Sequence, residues 1–247
     1  MKERAEPPPP TEVPSTPILQ RMSETRAVDE AESVRLYGRP PPEPLFNANA
    51  APWPLLLIMV LIGAAFSYQL LSGDFQGVVA RHGFLPIELS AGRPLGLITS
   101  IFLHGGWGHL LLNLTVMLAF GAPVARLFGS RAGGALRFAG YFMVCGIVGG
   151  LVYWALHPSG AMPIVGASGA VYGLVGGVAR MVEHPGAISR SFSRPVLRFL
   201  TPWVILNLLV AVAGAAFTIP VAWEAHLGGL LAGLLLIGLF APRRRLG

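Results

Sequence analysis

"IVGASGAVYGLVGG" (residues 164–177) places five glycines around one serine, Ser168, and one tyrosine, Tyr172. It lies inside a run of 42 residues, 138–179, without a single Asp, Glu, Lys or Arg. A glycine costs a helix about 1 kcal/mol relative to alanine. A helix that accepts that cost five times needs what only glycine supplies, close approach of a neighbouring backbone. The fold therefore turns on whether this stretch is a membrane helix.

The composition supports that reading. The 247 residues are 53% hydrophobic and 12% charged, against roughly 25% charged in soluble domains, and the mean hydropathy is +0.60. Charge is uneven: residues 1–50 hold eight of the 12 acidic groups and six of the 18 Lys and Arg. The positive charges beyond residue 50 are scattered between apolar runs rather than gathered on a stripe, which excludes a nucleic-acid partner and fits a membrane chain. The one cysteine, Cys145, rules out an intramolecular disulfide and a cysteine-rich metal site; it reads as a packing residue. No secretory signal is visible, because the first apolar run begins some 50 residues in.

Residues 1–52 contain "EPPPPTEVP" and "GRPPPEP" and lack an apolar period, so they read as a disordered or polyproline-like tail. From Trp53 the uncharged runs mark six spans. Trp53 to Leu71 is the first, and the second occupies the later part of 94–125. Residues 138–179 give the third and fourth, broken at "HPSGAMP" (157–163); 199–223 gives the fifth and 225–242 the sixth. The expectation is an all-α polytopic membrane protein: a cytoplasmic tail (1–52), a six-helix membrane domain (53–242) and a basic cytoplasmic C-terminus (243–247). An even number of spans puts both termini on one side. Arginines concentrate in the connections 126–137 and 180–198 and at the C-terminus, which makes that side cytoplasmic. An arginine-rich chain whose only lysine is Lys2 is compatible with a bacterial GC-rich genome, and the expected location is a bacterial inner membrane. Trp53, Trp107 and Trp223 read as interfacial anchors.

In this topology the second, fourth and sixth spans all start at the outer side, and each carries polar residues near its start. These are His109 and Asn113, then Ser168 and Tyr172, then His226. The first two pairs are each spaced i, i+4 and share a helix face. Gly169, Gly173 and Gly177 repeat beside Ser168, and Gly229 and Gly233 lie on the face of His226. Glycine thins both helices, so that two short side chains can meet. A serine hydroxyl needs a neighbouring base to become a nucleophile, and a helix N-terminus offers unpaired N–H groups to a developing oxyanion. His109 and the Asn113 amide can add to those donors. Ionisable groups at this depth are functional hypotheses by default. Glu224 lies two residues before His226 and points elsewhere, so a Ser–His dyad is expected rather than a triad. Lys2 is in the tail, the only aspartates are Asp29 and Asp74, and HExxH is absent. Those absences exclude a Ser–Lys dyad, an intramembrane aspartate pair and a zinc protease motif. No cofactor or metal is expected. A metal or haem site on His104, His109 and His226 lacks an acidic partner. His82, His157 and His184 read as solvated, and the remaining arginines as topology signals.

"HGGWGHLLLN" (104–113), "GASGAVYG" (166–173) and "AHLGGLLAG" (225–233) resemble, in order and spacing, the motifs of the rhomboid intramembrane serine proteases. The resemblance covers residues 53–242. It implies that Ser168 is the nucleophile and His226 the general base, with Tyr172 against the His226 ring. It implies an oxyanion hole of His109, Asn113 and the Ser168 backbone N–H, with His104 as a hydrogen-bonding histidine before the second span. Gly166, Gly169, Gly229 and Gly233 are motif glycines in a supporting role. One departure stands out: where many relatives carry Trp-Arg in the first outer loop, this chain has Leu95-Gly96. The implied activity is an endopeptidase cutting transmembrane segments of other membrane proteins within the lipid bilayer. The alternative is a non-catalytic membrane-protein binding or dislocation factor.

Overall fold

In lipid a spanning segment must satisfy its own backbone, which leaves helices for apolar runs of this length. The computed structural model describes residues 51–184, 187–217 and 221–242. The tail of residues 1–50, the tip of the 218–222 connection and the basic segment 243–247 lie outside the described residues. The described chain forms nine helices. α1 (Trp53–Leu71) is followed by three short ones, α2 (Phe75–His82), α3 (Pro86–Ser90) and α4 (Gly96–Thr99). Then come α5 (Trp107–Phe128), α6 (Ala132–Leu156), α7 (Ser168–Ala179), α8 (Arg194–Ala216) and α9 (Trp223–Phe240). Five of them, α1, α5, α6, α8 and α9, are long and apolar enough to cross a membrane, and α7 is a shorter apolar helix.

Three spans, the third, fourth and fifth, depart most from the sequence reading, each for a physical reason. The fifth span begins at Arg194 and ends at Ala216 rather than covering 199–223. Pro195 in its first turn is pre-set for a helix start, and Arg194 and Arg198 can lay their stems along the helix. α6 likewise starts at Ala132, ahead of the uncharged run, and takes in Arg137. α7 begins only at Ser168, because Ile164 and Gly166 before it are hydrogen-bonded to the loop between α1 and α5. Phe84 and Ile164 exchange backbone hydrogen bonds (2.9 and 3.0 Å), and the Gly166 N–H donates to the Ser100 carbonyl at 2.9 Å. The long loop between α1 and α5 thus holds the approach to α7 in place. In that loop, a side chain at Gly96 would come within 2.8 Å of the Gly83 carbonyl oxygen, which is why glycine stands where the resemblance leads one to expect a large residue.

α7 is the hub: it packs against α5, α6, α8 and, most extensively, α9. Every one of its residues is buried except Ser168 and Tyr172. Its contact with α9 is backbone on backbone. A methyl group at Gly229 would strike the Gly169 carbonyl, one at Gly233 the Gly173 carbonyl, and one at Gly176 the Leu230 carbonyl. The buried Tyr141 hydroxyl of α6 closes the crossing, 2.8 Å from the Gly173 carbonyl oxygen and 3.0 Å from that of Gly233. Glycine is thus spent where three helices converge. Cys145, fully buried, packs in the same core. At the far end of α7, Arg180 does more than mark topology: it donates to the Leu234 carbonyl and Ser191 Oγ at 2.8 Å, and to the Ser189 carbonyl.

Candidate active site

The first turn of any helix leaves N–H groups without intrahelical acceptors. Ser168 is the first residue of α7, and no side chain caps that end. Because α7 and α9 touch through glycine, the two short side chains on their facing surfaces meet: Ser168 Oγ lies 2.9 Å from His226 Nε2. The Tyr172 ring, one turn further along α7, is stacked on the His226 imidazole with centroids 4.6 Å apart and planes within 2°. Trp203 of α8 meets Tyr172 edge-on at 6.1 Å. Ser168, Tyr172 and His226 are all half-buried, so the pair is not sealed in the core. α7 spans roughly 18 Å, about 12 Å short of a 30 Å hydrocarbon core. As a helix it therefore cannot reach both membrane surfaces.

His109 enters from α5. Gly166 has a φ of +126°, and a methyl group there would lie 2.5 Å from the His109 ring. Only glycine combines that backbone conformation with room for the imidazole beside the start of α7. The Gly105 N–H approaches His109 Nδ1 at 3.5 Å, a long contact that leaves Nε2 as the ring's proton-bearing side. Asn113 is buried one turn along α5 and donates through Nδ2 to the His109 carbonyl at 3.0 Å. His104 is wholly buried in the loop before α5, edge-on to His109 at 5.1 Å. Its ring nitrogens make no well-formed hydrogen bond among the described residues. Burial, with His109 beside it, pushes its pKa down to about 4, so it is neutral at neutral pH. What is held firmly is its backbone: Gln69 of α1 accepts from the His104 N–H at 2.9 Å and donates to its carbonyl at 3.0 Å.

Two residues here escaped the sequence reading. Gln69 and Asn207 are both fully buried amides in otherwise apolar spans. Asn207 Oδ1 lies 2.8 Å from His226 Nδ1, and Asn207 Nδ2 donates to the Trp223 carbonyl at 3.0 Å. A lone amide inside a spanning segment was the available signal. Glu224 points away from the pair, to His157 Nε2 at 2.9 Å. His157 is therefore partnered, and also packs on Tyr153 at 4.7 Å, rather than simply solvated. Among the described residues no group of three His, Cys, Asp or Glu is placed to hold a metal.

The fold and this cluster define an integral, multi-pass helical membrane protein with a serine–histidine contact at the start of a short apolar helix. The model of the Rhomboid domain matches residues 91–243, more than half of the chain, which belongs to the rhomboid family. That family consists mostly of intramembrane serine proteases and includes inactive members. The chain is 32% identical over 140 residues to "RHOMBOID-like protein 5" of Arabidopsis thaliana, covering 57% of this chain and 42% of that one. It is 32% identical over 150 residues to "Rhomboid-like protease 5" of Toxoplasma gondii (58% and 16%). It is 28% identical over 200 residues to "Rhomboid-related protein 3" of Homo sapiens (75% and 47%). In each case the match spans less than half of the relative's length.

Proposed function

We propose that this protein is an intramembrane serine endopeptidase that hydrolyses peptide bonds in or near the transmembrane segments of other membrane proteins. The observation that carries the reading is the 2.9 Å contact between Ser168 Oγ and His226 Nε2 at the uncapped start of α7. Ser168 Oγ attacks the scissile carbonyl carbon while His226 Nε2 takes the hydroxyl proton. The carbonyl oxygen becomes an oxyanion, held by the Ser168 backbone N–H, His109 Nε2–H and the Asn113 amide. When the C–N bond breaks, His226 returns the proton to the leaving amine and an acyl-serine remains. Water, deprotonated by His226, then releases the new carboxylate and restores the hydroxyl.

The charge pattern supports an active site that opens to the outer side of a bacterial inner membrane, with residues 1–52 and 243–247 on the cytoplasmic side. A substrate helix must unwind locally before its amide is exposed, because a helical carbonyl is hydrogen-bonded and shielded. A substrate with helix-favouring residues at its scissile site is therefore cut more slowly than one carrying Gly or Pro there; equal rates would sink the unwinding step. The direct test of the site is labelling of the purified protein with a fluorophosphonate probe. Wild type is labelled, and Ser168→Ala and His226→Ala are not. A folded wild type that takes no label would move the protein to the non-catalytic members of its family.

A further inference from the structure

α8 is the least buried of the spans, and its buried residues are Val196, Leu200 and Asn207. A buried amide on a helix otherwise turned to lipid is costly unless each of its polar atoms is used. Both are. The Trp223 carbonyl can only accept, so the atom of Asn207 facing it at 3.0 Å is the Nδ2 donor. That orientation leaves Oδ1, which can only accept, 2.8 Å from His226 Nδ1. Nδ1 must then carry a proton. In a neutral imidazole this leaves Nε2 bare, and Nε2 is the atom facing Ser168 Oγ at 2.9 Å. One backbone carbonyl, acting through one side chain, thus selects the tautomer that can receive the serine proton. It also fixes the azimuth of the ring from the edge opposite Ser168, while Tyr172 fixes its plane.

We infer that Asn207 is the positioning residue for His226, extending the serine–histidine pair into a Trp223 carbonyl–Asn207–His226–Ser168 chain. The inference rests on the hydrolase reading above. When His226 accepts the proton its positive charge lies against the Asn207 carbonyl oxygen, so the same contact stabilises the imidazolium. Asn207 itself gains and loses no proton. In this it takes the place a carboxylate occupies in Ser–His–Asp sites, without introducing a buried charge into the membrane.

The test compares wild type, Asn207→Leu and Asn207→Asp in the full chain, reconstituted with a fluorogenic single-span substrate. Leucine is nearly isosteric and suits a membrane helix, so packing is kept and the acceptor is lost. Aspartate keeps an acceptor oxygen towards Nδ1. The expected result is a fall in kcat of roughly 10- to 100-fold for Asn207→Leu, with KM and the thermal transition in detergent unchanged, and recovery of at least tenfold in Asn207→Asp. A leucine variant within twofold of wild type in kcat, or an aspartate variant no better than leucine, would overturn the inference. If Asn207→Leu loses its thermal transition, Asn207→Ala takes its place and the same two results decide. A wild type inert to both substrate and fluorophosphonate overturns the hydrolase reading instead, so the two failures are distinguishable.

Discussion

A hydroxyl inside a helix has its own preceding carbonyl as the default partner, and Ser67, Thr115 and Thr201 of this chain take it. Ser168 does not, because it opens its helix and faces an imidazole. The imidazole is held by a ring on one face and an amide on one edge, and each restraint has its own signature. Tyr172→Phe keeps the stack and retains activity within about twofold, whereas Tyr172→Ala lowers kcat roughly three- to tenfold, the worth of an aromatic pair; steady-state kinetics separate the two. On the oxyanion side, Gly166→Ala forces a methyl group into the His109 ring at a φ that L-residues avoid. A displacement of that kind costs about a hundredfold in rate, and we expect that loss in acylation of Ser168, read as the fluorophosphonate labelling rate. Unchanged labelling would remove His109 from the oxyanion hole.

The glycines act at the scale of helices. A methyl group at Gly233 meets the Gly173 carbonyl, which is backbone and cannot rotate away, so Gly233→Ala must push α9 off α7. Overpacking of this sort costs about 1–3 kcal/mol. The expected outcome is a lower thermal transition in detergent together with lost activity, whereas Gly238→Ala, with open space around it, leaves both near wild type. The spacing of these glycines, like the lengths of the apolar runs, is legible in sequence because helical period and bilayer thickness translate directly into residue counts. The start of α7 was not legible to the same degree. It depends on Phe84 and Ser100 hydrogen-bonding to Ile164 and Gly166, contacts across some 70 residues of chain that no local pattern encodes. Asn207 escaped for a related reason: its meaning lies in what α9 presents to it, not in its own neighbours. Arg194 and Arg198 fall inside α8 although charge ordinarily marks the end of an apolar run, because Pro195 sets the helix start.

At the scale of the molecule, the proposed topology puts the 126–137 connection and the 157–163 loop in opposite compartments, as the charge pattern predicts. With the buried Cys145 replaced by alanine, single cysteines at the exposed Ser159 and Ser130 report on this in oriented vesicles. An impermeant maleimide should label the two positions from opposite sides, with position 159 on the side from which water reaches Ser168. Labelling of both from one side would contradict the topology. Hydrolysis within the membrane is read most directly as cleavage in a closed system. Wild type and Ser168→Ala are each reconstituted into liposomes with a single-span protein whose membrane segment carries a Gly- or Pro-containing stretch, and the products are sized by mass spectrometry. The expected result is one cut in or beside the membrane segment with wild type and intact substrate with Ser168→Ala. Cleavage that persists in Ser168→Ala, or a folded wild type that leaves a panel of such substrates intact, would contradict it.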